Sequence, residues 1–309
     1  MRNTLLHCAL LAALLPAVAL AQAAPETPKK KTAKEIIDAA PATAWRTLDP
    51  ANTLYMELAT GRVVIELAPG FAPGHVANIK AMAKGGFWDG LSIYRAQDNF
   101  VVQFGDPDSD DKAKAKVLPV GTKEKLPAEF TRNGKDIAFD RLPDADGWAP
   151  QVGFVDGFPA ARDPATGATW MTHCYGMLGA GRSNPPDSSI GAELYVVIGQ
   201  APRALDRQLS AVGRVVKGMD LLSATPRGPD PMGFYDKPEQ RVPIKAIRLA
   251  SEVPEAERTP LQLLRTDSPA FVAATEARRN RVDDFYTIPA GHIDLCNVPL
   301  PVRAPPKAP

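Results

Sequence analysis

Arg95 stands near the end of an apolar run, and Phe100, Val101, Gln103 and a Gly105-Asp106 pair follow it closely in the segment IYRAQDNFVVQFGD, residues 93–106. A guanidinium stays charged at any physiological pH and offers a rigid, planar fork of N–H donors. Held in place, it can stabilise a lone pair or negative charge that develops on a bound group. Phe100 and Val101 supply apolar neighbours, and the Gln103 amide can hydrogen-bond a polar group. An isolated arginine on a strand is ordinarily a solvated or ion-paired surface residue, so the flanking segments decide between the two readings. Competing chemistry is weakly represented. No Ser-His-Asp or Cys-His constellation stands out. His75, His173 and His292 do not combine with Cys174 at any usual zinc spacing, so no metal or other cofactor is expected.

Before the arginine segment runs VVIELAPGFAPGHVANIKAMAKGGFWDG (63–90). After it come YGMLGAG (175–181), GAELYVVIG (191–199) and LDRQLSAVGRVVKGMDLL (205–222). In this order these segments resemble the cyclophilin-type peptidyl-prolyl cis-trans isomerases. The resemblance implies a mainly β fold, a closed antiparallel β-barrel capped by α-helices, here with a long insertion and a C-terminal helical extension. It also implies an activity: faster cis/trans isomerisation of X-Pro bonds in unfolded or extended polypeptides. Rotation about a peptide bond is opposed by roughly 18–20 kcal/mol of lost resonance, and the twisted prolyl nitrogen gains a lone pair that a fixed guanidinium can stabilise. On this reading Arg95 is the catalytic residue. Phe100, Val101, Tyr195 and Leu209 form the proline pocket, and Gln103 and Glu193 contact the peptide. Some positions depart from the family's pattern: Leu209 stands where a histidine is usual, Ala204 where a tryptophan is usual, and Glu193 where a glutamine is usual. These departures motivate a second reading, a cyclophilin-fold chaperone or assembly module that binds proline-containing chains with little catalysis.

The elements that must position these residues follow from periodicity. LYMEL and VVIEL flank a Thr60-Gly61 turn and read as a hairpin. Pro73 near the start, Val76, Ile79 and Met82 on one stripe and Gly85-Gly86 at the end predict a helix over 73–84, with His75 as a surface or capping residue of its first turn. Strict alternation in VVQF separates Phe100 from Gln103; the resemblance implies that Phe100, at the strand start, leans over the same groove. In GAELYVVIG, Glu193, Tyr195 and Val197 share one face. Residues 107–172 are long, Gly- and Pro-punctuated and poor in alternation, and read as an extended connection. VPIKAIRLA (242–250) reads as a closing strand. Beyond it, Thr259-Pro260 ahead of LQLLR and Ser268-Pro269 ahead of AFVAATEARRNR predict two short helices, and PLPVRAPPKAP predicts an extended end. The expected organisation is a leader over 1–23, an arm over 24–50 with a short helix in KTAKEIIDAA, a domain over 51–250 with its insertion at about 131–172, and an extension over 251–309.

Arg2, the apolar run Leu5 to Leu20 and the small residues around 19–23 have the pattern of a secretory signal. The expectation is an exported chain, delivered to the periplasm or outside the cell, with no membrane span once the leader is removed. Loss of the leader takes away Arg2 alone among the charged residues, so basic and acidic side chains balance. That argues against nucleic acid as the main partner. Cys174 and Cys296 remain, and an oxidising compartment permits a bridge between them.

Overall fold

The computed structural model describes residues 30–306 apart from 110, 112 and 136, so the leader sequence and Cys8 lie outside the described residues. In chain order the elements are α1 (Ala33–Asp38), β1 (Trp45–Thr47), β2 (Thr53–Leu58), β3 (Gly61–Leu67), α2 (Pro73–Lys84), β4 (Ser92–Ala96) and β5 (Val101–Gly105). Then follow β6 (Arg132–Asn133), β7 (Asp140–Leu142), β8 (Gln151–Val155), β9 (Phe158–Arg162), β10 (Ala168–Met171), β11 (Met177–Ala180), β12 (Leu194–Val197) and β13 (Ser210–Lys217). The chain ends with α3 (Met219–Ser223), β14 (Val242–Leu249), β15 (Gln262–Leu264), α4 (Pro269–Arg279) and β16 (Val302–Arg303).

Eight strands close an antiparallel barrel in the order β11-β12-β5-β4-β14-β2-β3-β13. Alternation explains its interior: Leu54, Met56, Val63, Ile65, Val102, Phe104, Leu194 and Val196 point inward and are fully buried. Val76, Ile79, Met82 and Ala83 of α2 belong to the same core. The predicted helix over 73–84 is present, but no side chain of its own caps it. Glu129, from the distant LPAEF segment, accepts from the backbone N–H of Gly74 and of His75, both at 2.9 Å, which satisfies two orphan donors of the first turn. His75, read as a surface or capping residue, is instead buried, with Nδ1 2.6 Å from the same carboxylate.

The long connection carries more structure than its sequence suggested. It forms a five-stranded antiparallel sheet in the order β6-β10-β9-β8-β7. These strands are two to five residues long and several are buried on both faces, so the period-2 signal that marks a half-exposed strand is missing. Val152, Phe154, Phe158 and Trp170 of this sheet share a second core with Phe271, Ile293, Leu295 and Val298 of the C-terminal extension. Phe154 and Phe271 meet edge to face at 5.1 Å, and partly buried Arg279 pairs with Asp144 at 2.6 Å.

One of the two helices expected in the tail is corrected. AFVAATEARRNR forms α4, capped by Ser268, whose hydroxyl accepts from the Phe271 N–H. LQLLR contributes a strand, β15, which pairs with β1 in the register Trp45↔Leu264 and Thr47↔Gln262 and takes β16 on its other edge. As a strand rather than a helix, this segment lets Leu261 and Leu263 cover Tyr55 and Val64 on the outside of the barrel. Glu66 joins the layers: it accepts from Arg214 of β13 at 3.1 Å and pairs with Arg46 of β1 at 2.6 Å.

Cys174 and Cys296 are disulfide-bonded across 122 positions of sequence, tying the extension to the segment that leads into β11. Cross-links that close loops of this length restrict the unfolded chain most. Cys296→Ser is expected to lower unfolding stability by about 2–4 kcal/mol, measured as a fall in the denaturant midpoint under oxidising conditions. An unchanged midpoint would show that the extension is held by its apolar core alone.

Candidate active site

The outer face of the barrel carries the site, and one irregularity shapes it. Between β4 and β5 the register shifts: Ile93 pairs with Phe104, but Arg95 pairs with Gln103, leaving Tyr94 as an extra residue on β4. Such a bulge lets two consecutive side chains address the same partner. Tyr94 and Arg95 both bond Gln103. Across the next strand pair Gln103 is opposite Tyr195, and Val101 is opposite Val197. Arg95, Gln103 and Tyr195 therefore stand in one rank across three neighbouring strands.

Phe100 precedes β5 in a tight turn in which Asn99 adopts φ 51°, and the Asn99 side chain accepts from the Gln200 N–H at 2.8 Å. Outside the strand, the pleat no longer dictates its direction. Arg95, Phe100, Val101, Gln103, Tyr195 and Leu209 line one cleft of about 170 Å³, together with Gly181, Arg182 and Leu205. Val101, Tyr195 and Val197 form a small apolar cluster there, flanked by Phe100 and Leu209.

The half-buried guanidinium of Arg95 is fixed on all sides. Its Nε donates to the Met232 carbonyl at 2.7 Å, Nη1 to Gln103 Oε1 at 3.1 Å and Nη2 to Gln97 Oε1. Its Cζ lies 4.8 Å from the Phe234 ring centroid and 5.7 Å from that of Phe100. Among the described residues these hydrogen bonds all go to neutral groups, so they orient the cation without cancelling its charge. Burial lowers its pKa from the ordinary value, and the neighbouring Tyr94 acts in the opposite direction.

Glu193 is placed elsewhere. It lines an adjoining groove of about 500 Å³ that shares Gln103, Gly181 and Arg182 with the first cleft. Its carboxylate accepts from the Tyr94 hydroxyl at 2.5 Å and from the Asp106 N–H at 2.7 Å. Tyr94 in turn accepts from Gln103 Nε2 at 2.6 Å, so the Gln103 carbonyl oxygen is left to face Arg95. Glu193 thus acts on the cleft through Tyr94 and Gln103. A side chain at Gly105 would not be compatible with this arrangement, since a Cβ there would stand 2.2 Å from the Glu193 carboxylate.

Tyr94, Arg182, Leu205 and Phe234 were not legible as site residues. Tyr94 adjoins Arg95, and alternation assigns adjacent residues to opposite faces unless a bulge intervenes. Phe234 arrives from a loop far along the chain, bridging to Arg95 and stacking on Tyr94 with ring centroids 6.1 Å apart. Nothing local to either residue announces that contact.

Comparison with known proteins places this geometry among relatives. The family model described as cyclophilin type peptidyl-prolyl cis-trans isomerase/CLD matches residues 53–249. A probable peptidyl-prolyl cis-trans isomerase of Brucella suis is 28% identical over 185 residues, covering 58% of this chain and 74% of the relative. Peptidyl-prolyl cis-trans isomerase B of Bacillus subtilis is 45% identical over 57 residues, covering 18% of this chain and 40% of that protein. The crystal structure of cyclophilin AquaCyp293 from Hirschia baltica superposes with a TM-score of 0.66 at 24% identity, covering 89% of this chain and 98% of that one.

The tyrosines give this region a pH signature. Burial, followed by the charge and hydrogen bond of Glu193, pushes the Tyr94 hydroxyl far above the ordinary tyrosine value, with Gln103 and Arg95 opposing. A raised folded-state pKa leaves stability intact below the unfolded value of about 10 and removes it progressively above, because the unfolded chain then releases its proton first. Stability is expected to fall as pH rises past about 10, and Tyr94→Phe is expected to make that fall shallower in denaturant titrations. Identical pH slopes for the two proteins would contradict the assignment.

Proposed function

The chain belongs to the cyclophilin-type peptidyl-prolyl cis-trans isomerases, and from that premise we propose that it isomerises X-Pro bonds of exported polypeptides, with Arg95 stabilising the twisted bond. The observation that carries the mechanism is the rank Arg95, Gln103 and Tyr195 across β4, β5 and β12, opening into a single apolar cleft. A proline ring seated against Phe100, Val101, Tyr195 and Leu209 brings the prolyl nitrogen toward the guanidinium. As the bond twists, its nitrogen becomes pyramidal and its lone pair accepts from an arginine N–H. That interaction is stronger in the twisted state than in the planar ground state, which is the condition for acceleration. Since Met232, Gln97, Gln103 and two aromatic rings already hold Arg95, little reorganisation accompanies the reaction. Gln103, oriented by Tyr94, is available to the substrate backbone.

Uncatalysed X-Pro isomerisation takes tens of seconds or longer and can limit folding, so newly exported chains are natural substrates. Two observations support export: the signal-like residues 1–23, and the Cys174–Cys296 disulfide, which suits an oxidising compartment such as the periplasm or the exterior. The departures at Leu209 and Ala204 favour, as a second reading, a module that binds proline-containing chains with little turnover.

Isomerisation of an unstructured X-Pro peptide separates these readings. Arg95→Ala is expected to lower kcat/KM by about 10²- to 10³-fold, with circular dichroism unchanged. Arg95→Lys should recover little, because one ammonium cannot reproduce the planar fork. Equal rates for wild type and Arg95→Ala would remove the catalytic role of Arg95. Peptide binding without measurable turnover would establish the binding module.

A further inference from the structure

We infer that His173 is a positioning residue for the isomerase cleft, holding the floor residue Tyr195 in a single orientation through a buried hydrogen bond; this rests on the reading of the cleft as the proline site. Tyr195 lines the cleft, yet only 5% of the residue is exposed. Its hydroxyl lies 2.8 Å from His173 Nε2, and the two rings lie within 11° of parallel. His173 is 1% exposed and is itself fixed: its backbone N–H donates to Asp206 Oδ1 at 2.9 Å, and its Nδ1 is 3.0 Å from the same oxygen.

The chain of contacts continues to a firm anchor. Asp206 Oδ2 accepts from Arg203 Nε at 2.6 Å, and the other end of that guanidinium grips both carboxylate oxygens of Asp146 at 2.9 and 3.2 Å. Burial opposes charge on Asp206, but the hydrogen bonds from His173 and the charge of Arg203 outweigh it and keep the carboxyl below its usual range. The turn that presents Asp206 also presents Leu205, another cleft residue. One buried network therefore ties the floor of the cleft to part of its wall.

Gly179 supplies an independent argument. It pairs with Tyr195 across β11 and β12, and a Cβ at this position would stand 2.2 Å from both Cζ and the hydroxyl oxygen of Tyr195. Only glycine leaves the path along which the phenol reaches His173. Freed from that anchor, the ring opposite Gln103 could leave the rank that faces Arg95, and the pocket would have to reform with each substrate.

The test compares wild type, Tyr195→Phe, His173→Leu and the double variant for isomerisation of an X-Pro peptide. The Tyr195 hydroxyl proton is followed in parallel by nuclear magnetic resonance. Each single variant is expected to lose about three- to tenfold in kcat/KM, the worth of one hydrogen bond. The double variant should lose no more than the worse single one, because both changes break the same contact. Wild type should show a slowly exchanging hydroxyl proton that both single variants lack. Losses that multiply in the double variant, or full activity in Tyr195→Phe, would overturn the proposal. If His173→Leu fails to fold, Tyr195→Phe and the hydroxyl resonance decide alone. An Arg95→Ala control that matches wild type in rate, with the hydroxyl resonance intact, would mark failure of the catalytic reading rather than of the anchor.

Discussion

A one-residue shift of register between β4 and β5 is the constraint on which the site depends. In a regular ladder Tyr94 and Arg95 would point to opposite faces of the sheet, and one of them would enter the barrel core. With the extra residue accommodated, Ile93 stays inside against Phe104 while Tyr94 and Arg95 both reach Gln103 outside. Gln103 then serves as the common reference: Arg95 donates to its carbonyl oxygen, its amide donates to Tyr94, and Tyr94 donates to Glu193. A carboxylate in one groove thereby sets the orientation of an amide in the next. The arrangement keeps Glu193 in reach of the cleft's chemistry without placing its negative charge on the apolar floor.

The rest of the chain supports that face from behind. The barrel interior is filled by alternating apolar residues and closed by α2. The inserted sheet and the C-terminal extension bury a second set of apolar side chains against each other, so neither has a completed core in the absence of the other. The Arg279–Asp144 pair joins these parts and the disulfide ties the extension to the segment before β11, while Glu66 with Arg46 links β1, which pairs with β15 of the extension, to the barrel. Ion pairs of this kind offset part of their own desolvation cost. The segment 172–174 stands at a junction, for Cys174 faces the extension and His173 faces the floor of the cleft.

Much of the fold was legible because it rests on local period. LYMEL and VVIEL form β2 and β3, with the turn at Ala59-Thr60 rather than Thr60-Gly61 because Gly61 already pairs with Leu58, residues 73–84 form α2, and VPIKAIRLA forms β14. Six of the residues singled out from sequence, Arg95, Phe100, Val101, Gln103, Tyr195 and Leu209, meet in one cleft. The failures share a cause. LQLLR alone suggests a helix because its partner strand, β1, lies more than two hundred residues away, and the inserted sheet looks like an extended connection because burial of both faces erases alternation. His75 suggests a surface or capping residue, since nothing near it in sequence foretells Glu129 as its partner.

By itself the sequence determined the residue types that perform the chemistry, the order of the strands that carry them, and an apolar pattern that closes a barrel. These follow from side-chain chemistry and from periods of two and 3.6 residues, which are properties of short segments. Tertiary structure alone decided that Tyr94 joins Arg95 on one face, that Glu193 works through Tyr94 from a neighbouring groove, that Phe234 covers the guanidinium, and that His173 reaches the phenol of Tyr195. Each of these depends on register or on a contact between segments distant in the chain, and register is chosen by the packing of the whole barrel rather than by any window of its sequence.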